Sequence, residues 1–349
     1  MVTKEIAEKL KTVIVNCPKR IVIVVAQVDP DALGAAFGLA HIIKGLKNEH
    51  ALSPIIAYAG SLAHPQNRSI INKYNLASRM TLVSDLNWSN ESCAYALVDS
   101  SQLEDSRVPL PEGFNPIIII DHHRSSNGLQ GSENFRLVED VGSASTLIYE
   151  LMCALDALSP TPGMEEYLYP LIALGIYTDT KGLQGASYRD VNAYANALAT
   201  FNQSELVPLT NYRMPSSHYE YMLLALQRRH IKNATLVTDV GYMLPEDGDS
   251  LSLIADELLR MDGISLVVVW GVVNNKVRVS ARCNNLSTPL DAFLKKRLGE
   301  KSGAKLTPDG RGEGGGLMEL DLRPWVIPET AEQVEQLVRV WFEKKFLSE

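Results

Sequence analysis

Ile21-Val22-Ile23-Val24-Val25-Ala26-Gln27-Val28-Asp29-Pro30-Asp31-Ala32-Leu33-Gly34 decides the reading of this chain. Ile21–Ala26 is wholly apolar and almost wholly β-branched, the composition of a strand buried on both faces. It stops at two carboxylates separated by a proline. From Ala32 to Leu46 the apolar positions recur with helical period. A buried strand, an acidic turn and a helix make the first half of a βα unit, in which the functional turn sits at the carboxyl end of the strand.

Outward from this unit the pattern repeats. Pro54–Tyr58, Met80–Val83, Ala94–Val98 and Ile117–Ile120 read as further strands, and Ser143–Leu155 and Tyr167–Tyr177 as helices. The alternation predicts an α/β fold: an N-terminal doubly wound, mainly parallel sheet with helices on both faces. The texture changes over Phe201–Ser217, rich in Asn, Pro, Ser and Thr, which reads as a linker. Residues 1–200 then form the first domain and residues 218–349 a second, smaller α/β domain, with an interdomain cleft. Within the second domain the sequence predicts a helix over His218–Arg229, a strand over Ala234–Asp239 and a helix over Ser250–Met261. Two strands, Ile264–Val273 and Lys276–Ala281, follow, turning at Asn274-Asn275. A helix near Pro289–Leu298, a glycine-rich loop, and a last strand and helix complete it.

The bulk properties narrow the function. No apolar run approaches the roughly 20 residues of a membrane span, and the charged N-terminus does not resemble a signal peptide, so a cytoplasmic protein without a membrane partner is expected. The four cysteines, Cys17, Cys93, Cys153 and Cys283, form no CxxC pair, which argues against a zinc knuckle or a disulfide framework. A formal charge of −8 argues against long duplex nucleic acid as a partner. It remains compatible with phosphate chemistry through bound cations.

Polar clusters recur at element ends in the first half: Asp29 and Asp31, then Asp99, then Asp121-His122-His123, then Thr178-Asp179-Thr180. Taken singly each has a plain alternative. Asp29 or Asp31 could cap a helix, Asp99 with Ser100 could form a turn, and the histidines could lie on the surface. Together they would meet on one rim of a parallel sheet, where like charges at short range require a counter-ion. Mixed Asp and His ligands suit Mn²⁺ or a similar divalent ion, and two ions about 3.5–4 Å apart could activate a water for attack on phosphorus.

These segments resemble the motifs of the DHH phosphoesterases, in order. Asp29-Pro30-Asp31-Ala32-Leu33-Gly34 is similar to the family's opening motif, Leu97-Val98-Asp99 to its second, Asp121-His122-His123 to its name-giving third and Gly175-Ile176-Tyr177-Thr178-Asp179-Thr180 to its fourth. In the second half, Val277–Arg282 resembles the arginine-bearing strand of the DHH-associated domain found in the oligoribonuclease and RecJ-type branch. Gly314-Gly315-Gly316 resembles the start of that domain's Gly-Gly-Gly-His loop, where backbone N–H groups could approach a phosphate.

The resemblance implies a two-metal centre holding Mn²⁺, or Mg²⁺ or another divalent ion in its place. Asp29 would bind one metal and Asp31 the other, Asp99 would bridge them, and His122 and Asp179 would complete the second. His123 would touch the substrate phosphate, with Asp99 and His123 as the catalytic pair, and Asp121 would orient the histidines. Arg282 and Gly314–Gly316 would bind substrate. Ser143, Ser145 and Thr146 match a helix start that either contacts substrate or is simply capped.

Two positions depart from the family pattern. Val25 stands where a metal-binding histidine usually lies, with Gln27 a nearby substitute ligand, so the first metal site is expected to be weakened. Leu317 replaces the loop histidine. The implied function is hydrolysis of phosphate esters in short oligoribonucleotides or small nucleotides, such as 3′-phosphoadenosine 5′-phosphate or a cyclic dinucleotide, by a metal-bridging hydroxide. A homodimer is compatible with this reading. The alternative is a catalytically weakened nucleotide-binding or regulatory protein of the same fold. A dinucleotide-binding dehydrogenase is disfavoured, because Asp29 and Asp31 stand where its glycine-rich pyrophosphate loop would be.

Overall fold

The acidic turn falls where the sequence puts it, between strand β1 (Arg20–Val25) and helix α2 (Pro30–Leu46), with helix α1 (Lys4–Asn16) ahead of them. The computed structural model describes residues 1–47, 53–59, 62, 64–86, 93–100, 115–123, 134–274, 276–284, 289–306, 311–321 and 331–347. They divide into two units, Met1–Tyr212 and Arg213–Glu349. No described helix is long and apolar enough to cross a membrane.

The first unit continues with β2 (Ile55–Tyr58), α3 (Pro65–Lys73), β3 (Met80–Leu82), β4 (Cys93–Val98), β5 (Ile118–Asp121), β6 (Phe135–Val138), α4 (Ala144–Ala154), α5 (Leu168–Asp179), α6 (Tyr188–Leu198) and the short α7 (Val207–Thr210). Six strands form one sheet in the order β3-β2-β1-β4-β5-β6, and every pairing is parallel. The strand order reverses direction between β1 and β4, so their carboxyl ends open a crevice at the switch point of a doubly wound sheet.

The pleat sends Ile21, Ile23 and Val25 to the core shared with α1, α2, α4 and α5, and Val22 and Val24 to a smaller cluster on the other face with Tyr95, Leu97 and Ile119. Helices were expected on both faces. Among the described residues no α-helix contributes to the buried residues of the smaller cluster. Much of the chain joining β4 to β5 and β5 to β6 lies outside the described residues.

Helix α2 is buried at every position from Pro30 to Ile43, which a helix tolerates only when neighbours cover all its sides. Close approach is what permits this. A Cβ on Gly34 would stand 2.4 Å from Ser145 Oγ, and one on Gly175 would stand 2.6 Å from the same atom and 2.9 Å from Asp31 Cα. Helices α2, α4 and α5 thus converge around one serine hydroxyl. Toward the far end of α2, His41 is buried, with its Nε2 2.8 Å from the Ala157 carbonyl and its Nδ1 accepting from Thr161 N at 3.2 Å.

The stretch read as a linker, 201–217, holds a 3₁₀ turn and α7. Its Leu206 and Leu209 are buried in the first core, and Gln66 Nε2 donates to Leu209 O at 3.0 Å.

The second unit comprises α8 (Ser216–Gln227), β7 (His230–Lys232), β8 (Thr235–Met243), α9 (Ser250–Leu258), β9 (Leu266–Val273), β10 (Lys276–Cys283), α10 (Leu290–Leu298), β11 (Ser302–Leu306), β12 (Gly312–Asp321) and α11 (Ala331–Leu347). Its sheet has the order β11-β12-β10-β9-β8-β7, parallel only between β8 and β9. Helices α8 and α9 pack on one face and α10 and α11 on the other. The expected hairpin joins β9 to β10, with Asn274 at φ 50°; Asn275 lies outside the described residues.

The triglycine is not a loop. Gly314, Gly315 and Gly316 lie inside β12, paired to Ala281, Ser280 and Val279 of β10 and to Ala304, Gly303 and Ser302 of β11. A Cβ on Gly315 would come 2.4 Å from Val279 O, and one on Gly314 2.6 Å from the Ala304 Cβ. The glycines let three strands close together, and ladder pairing on both sides occupies their backbone groups.

Replacing Gly175 by Ala should lower the unfolding free energy by about 1–3 kcal/mol, the usual cost of forcing atoms into a filled core. Gly45→Ala, also in α2 but with nothing within 4 Å of the new Cβ, should raise it by about 0.5–1 kcal/mol. Urea unfolding midpoints of the two variants should move in opposite directions.

Candidate metal centre

The turn after β1 places its two carboxylates differently. Asp29 caps α2, its Oδ1 accepting from Ala32 N at 2.9 Å. Asp31, one turn on, is fully buried. Its Oδ1 accepts from Ser143 Oγ at 2.6 Å and Ser145 N at 2.8 Å, and its Oδ2 from Ala144 N at 2.7 Å. Asp31 therefore sits at the N-terminal ends of α2 and α4 together, where free amides favour an anion. Ser143, Ser145 and Thr146 are themselves fully buried. The Ser143 hydroxyl and the Ser145 amide serve Asp31, the Thr146 hydroxyl serves Asp190, and the Ser143 side chain makes no helix-cap bond.

Strand β4 delivers Asp99 in a left-handed conformation, φ 53°, with its N–H bonded to Ile120 O at 2.9 Å. Aspartate tolerates this region better than most residues. Strand β5 ends on Asp121, followed by His122 and His123. Asp121 Oδ1 accepts from the backbone N–H of His122 (2.8 Å) and of His123 (3.2 Å), and lies 2.8 Å from His123 Nδ1. Asp121 Oδ1 thus contacts both histidines that follow it. Asp179 comes from the last turn of α5 rather than from a strand end.

These elements converge on one nitrogen. His122 Nε2 lies 3.2 Å from Asp179 Oδ2, 3.3 Å from Asp99 Oδ1 and 3.7 Å from Asp31 Oδ2. Both Nε2 and Asp99 Oδ1 are buried and make no hydrogen bond. The other ring nitrogen, Nδ1, is 3.2 Å from Val141 O. A proton on Nδ1 leaves Nε2 as a lone pair facing three carboxylates, the tautomer a metal ligand needs. Two groups, Asp31–His122–Asp179 and Asp99–His122–His123, bring their ligand atoms within 4.8 Å of one another.

The electrostatics of the cluster favour a cation. Burial, followed by the charge of Asp179, raises the Asp31 carboxyl above its ordinary range. Burial, followed by Asp29 and Asp31, raises Asp99 well above it. Burial by itself would depress the His122 imidazolium, but Asp179, Asp99 and Asp31 outweigh it and hold the ring well above its usual value. A rim whose acids and imidazole all favour their protons is one from which divalent cations can displace protons.

Gln27 is exposed, and Val25 is a buried core residue of β1. Arg282 belongs to the second unit, where its Nε meets Asp256 Oδ1 at 2.6 Å and its Nη1 donates to Ser280 Oγ and Ala281 O. Its fork is engaged within that unit, as is the triglycine. Sequence reading also missed Asp190, buried beside the Gly142–Thr146 turn. The only sequence signal for it is a Ser187-x-x-Asp190 helix start.

With this geometry in view, residues 20–176 match the model of the DHH family, N-terminal domain. The uncharacterized protein MJ1633 of Methanocaldococcus jannaschii is 28% identical over 273 residues, 78% of this chain and 53% of that protein. The chain thus spans about half the length of the curated relative it matches. Among solved structures, an exopolyphosphatase-related protein of Bacteroides fragilis superimposes with a TM-score of 0.68 at 14% identity, covering 100% of this chain and 99% of that one. At that identity the likeness speaks for the fold.

The raised groups predict a pH signature. Asp31 and Asp99 bind protons more tightly folded than unfolded, so their contribution to stability falls as pH rises from the ordinary carboxylate range upward. His122, likewise raised, contributes fully below about pH 6.5 and loses its contribution as pH climbs through its folded value. Cation binding replaces those protons. The thermal midpoint difference between Mn²⁺-loaded and chelator-treated protein should therefore widen steadily from pH 5 to pH 8. A difference that stays constant or narrows would contradict this reading.

Proposed function

We propose that this chain is a metal-dependent phosphoesterase, a hydrolase acting on phosphate esters of small nucleotides or short oligoribonucleotides. The observation that carries the reading is His122 Nε2, buried, without a hydrogen bond and surrounded by Asp31, Asp99 and Asp179. Asp31, Asp99, His122 and Asp179 would hold the cations, with Asp29 completing the set, and Mn²⁺ suits this mixture of carboxylate and imidazole. Bound there, two such ions would polarise the phosphoryl oxygens and supply an activated water near neutral pH.

The chain's own residues do the positioning. His123 Nδ1 lies on Asp121, which fixes the ring, and an N–H at Nε2 would donate to a phosphate oxygen. The His123 side chain is 39% exposed, so substrate can reach it. In the second unit, Arg278 is exposed on the same face of β10 as Arg282 and is the better candidate for a phosphate contact, because Arg282 is held by Asp256.

Hydrolysis of a dinucleotide, a pentanucleotide, 3′-phosphoadenosine 5′-phosphate and a cyclic dinucleotide in Mn²⁺ tests the proposal. At least one should be turned over. Chelation should abolish the activity, and Asp99→Ala should reduce kcat/KM by more than about 100-fold, beyond the effect of losing a mere outer-shell partner. Nucleotide binding without turnover on any member would instead favour the regulatory reading, consistent with the apolar Val25 in place of a ligand.

A further inference from the structure

We infer that Asp190 is a positioning residue for the metal centre, acting on both His122 and Asp31 through the Val141–Thr146 turn. The inference rests on the metal reading above.

Asp190 lies in the first turn of α6 and is fully buried. Its two oxygens accept from four donor groups. Gly142 N reaches Oδ1 at 3.1 Å and Oδ2 at 3.0 Å, and Thr146 Oγ1 reaches Oδ1 at 2.6 Å. Ser187 N and Ser187 Oγ reach Oδ2 at 2.7 Å and 2.6 Å. The Ser187 contacts are a capping box and are explained by α6 itself. The Gly142 and Thr146 contacts are not, since they reach back more than 40 residues to the turn that opens α4.

That turn carries two of the metal centre's supports. Gly142 N and Val141 O belong to the same peptide unit, which is planar and rigid. Its N–H is fixed by Asp190, and its carbonyl lies 3.2 Å from His122 Nδ1. Asp190 therefore sets the orientation of the carbonyl that selects the His122 tautomer and aims Nε2. Immediately after this peptide, Ser143 Oγ, Ala144 N and Ser145 N hold Asp31. Thr146 ties the far side of the same turn to Asp190. There is no slack opposite: a Cβ on Gly142 would stand 2.4 Å from Thr180 Cγ2 and 2.9 Å from Asp190 Oδ2. The turn is pinned between Asp190 and the residue following Asp179.

A purely structural role would cost stability and leave metal affinity alone. The two are separable by measuring Mn²⁺ binding calorimetrically to the metal-free full chain, alongside its urea unfolding. The variants are Asp190→Asn, Thr146→Val, Thr146→Ser and a control, His41→Gln. The control removes buried hydrogen bonds from the same unit about 15 Å along α2 from Asp31. We expect Asp190→Asn to weaken Mn²⁺ binding about 10-fold or more, the scale of an outer-shell loss. Thr146→Val should weaken it several-fold and Thr146→Ser should restore it. His41→Gln should lose stability with unchanged affinity.

Wild-type affinity in a folded Asp190→Asn, or equal weakening in His41→Gln, would overturn the inference. Should Asp190→Asn not fold, the contrast between Thr146→Val and Thr146→Ser decides alone. Failure of the wild type itself to bind Mn²⁺ would overturn the metal reading, and is distinguishable because it appears before any variant is compared.

Discussion

The head of the first sheet depends on keeping the Asp31 carboxylate out of water. An ionised carboxylate moved into a protein interior loses several kcal/mol of hydration unless other donors replace it. Here Ser143 Oγ and the amides of Ala144 and Ser145 replace most of it. They do not neutralise it. Asp99 and Asp179 approach from the other side, with His122 between them, so the donors solve solvation and leave repulsion. A divalent cation held by these side chains would cancel that repulsion.

The same constraint shapes the packing beneath. For α4 to present its first amides to a residue of α2, and for α5 to deliver Asp179 beside them, three helices must meet at closer than ordinary spacing. Gly34 and Gly175 make this possible, one on each side of Ser145. Ser145 in turn donates to the Asp31 carbonyl at 3.2 Å. Backbone packing and carboxylate placement are thus one arrangement: a methyl group added at either glycine would press on Ser145, and one at Gly175 also on the Asp31 backbone.

Residues whose signals are local and redundant were legible in the sequence. Five β-branched residues, Ile21–Val25, fix a strand, and Asp29 stands in the turn just beyond it; Asp99 and Asp121 follow apolar runs in the same way. Asp179 was found through its motif, although it is carried by a helix. Strand β6 was not foreseen, because it is short and its inward positions alternate with Arg136. The triglycine was misread for a physical reason: a run of glycines has the composition of a loop, but inside a sheet the missing Cβ atoms let β10 and β11 close on β12. Arg282 was recognised as a cation, whereas its partner Asp256, 26 residues away in sequence, could not be paired with it from sequence alone. Asp190 was silent for the same reason, since a capping residue announces its own helix and nothing of what else it holds.

Asp31 and Asp190 show how the same chemistry yields two roles. Both are fully buried carboxylates supplied with donors from the turn that opens α4. Asp190 faces that turn and its own helix cap, so its donors satisfy it and it becomes a fixed point. Asp31 faces the same turn from the opposite side but looks out onto Asp99, His122 and Asp179, so its donors hold it still and leave its charge uncompensated. The turn between them couples the satisfied acid, through the Val141–Gly142 peptide and the Ser143–Ser145 groups, to the acid and imidazole that would hold a cation, and the coupling is reciprocal.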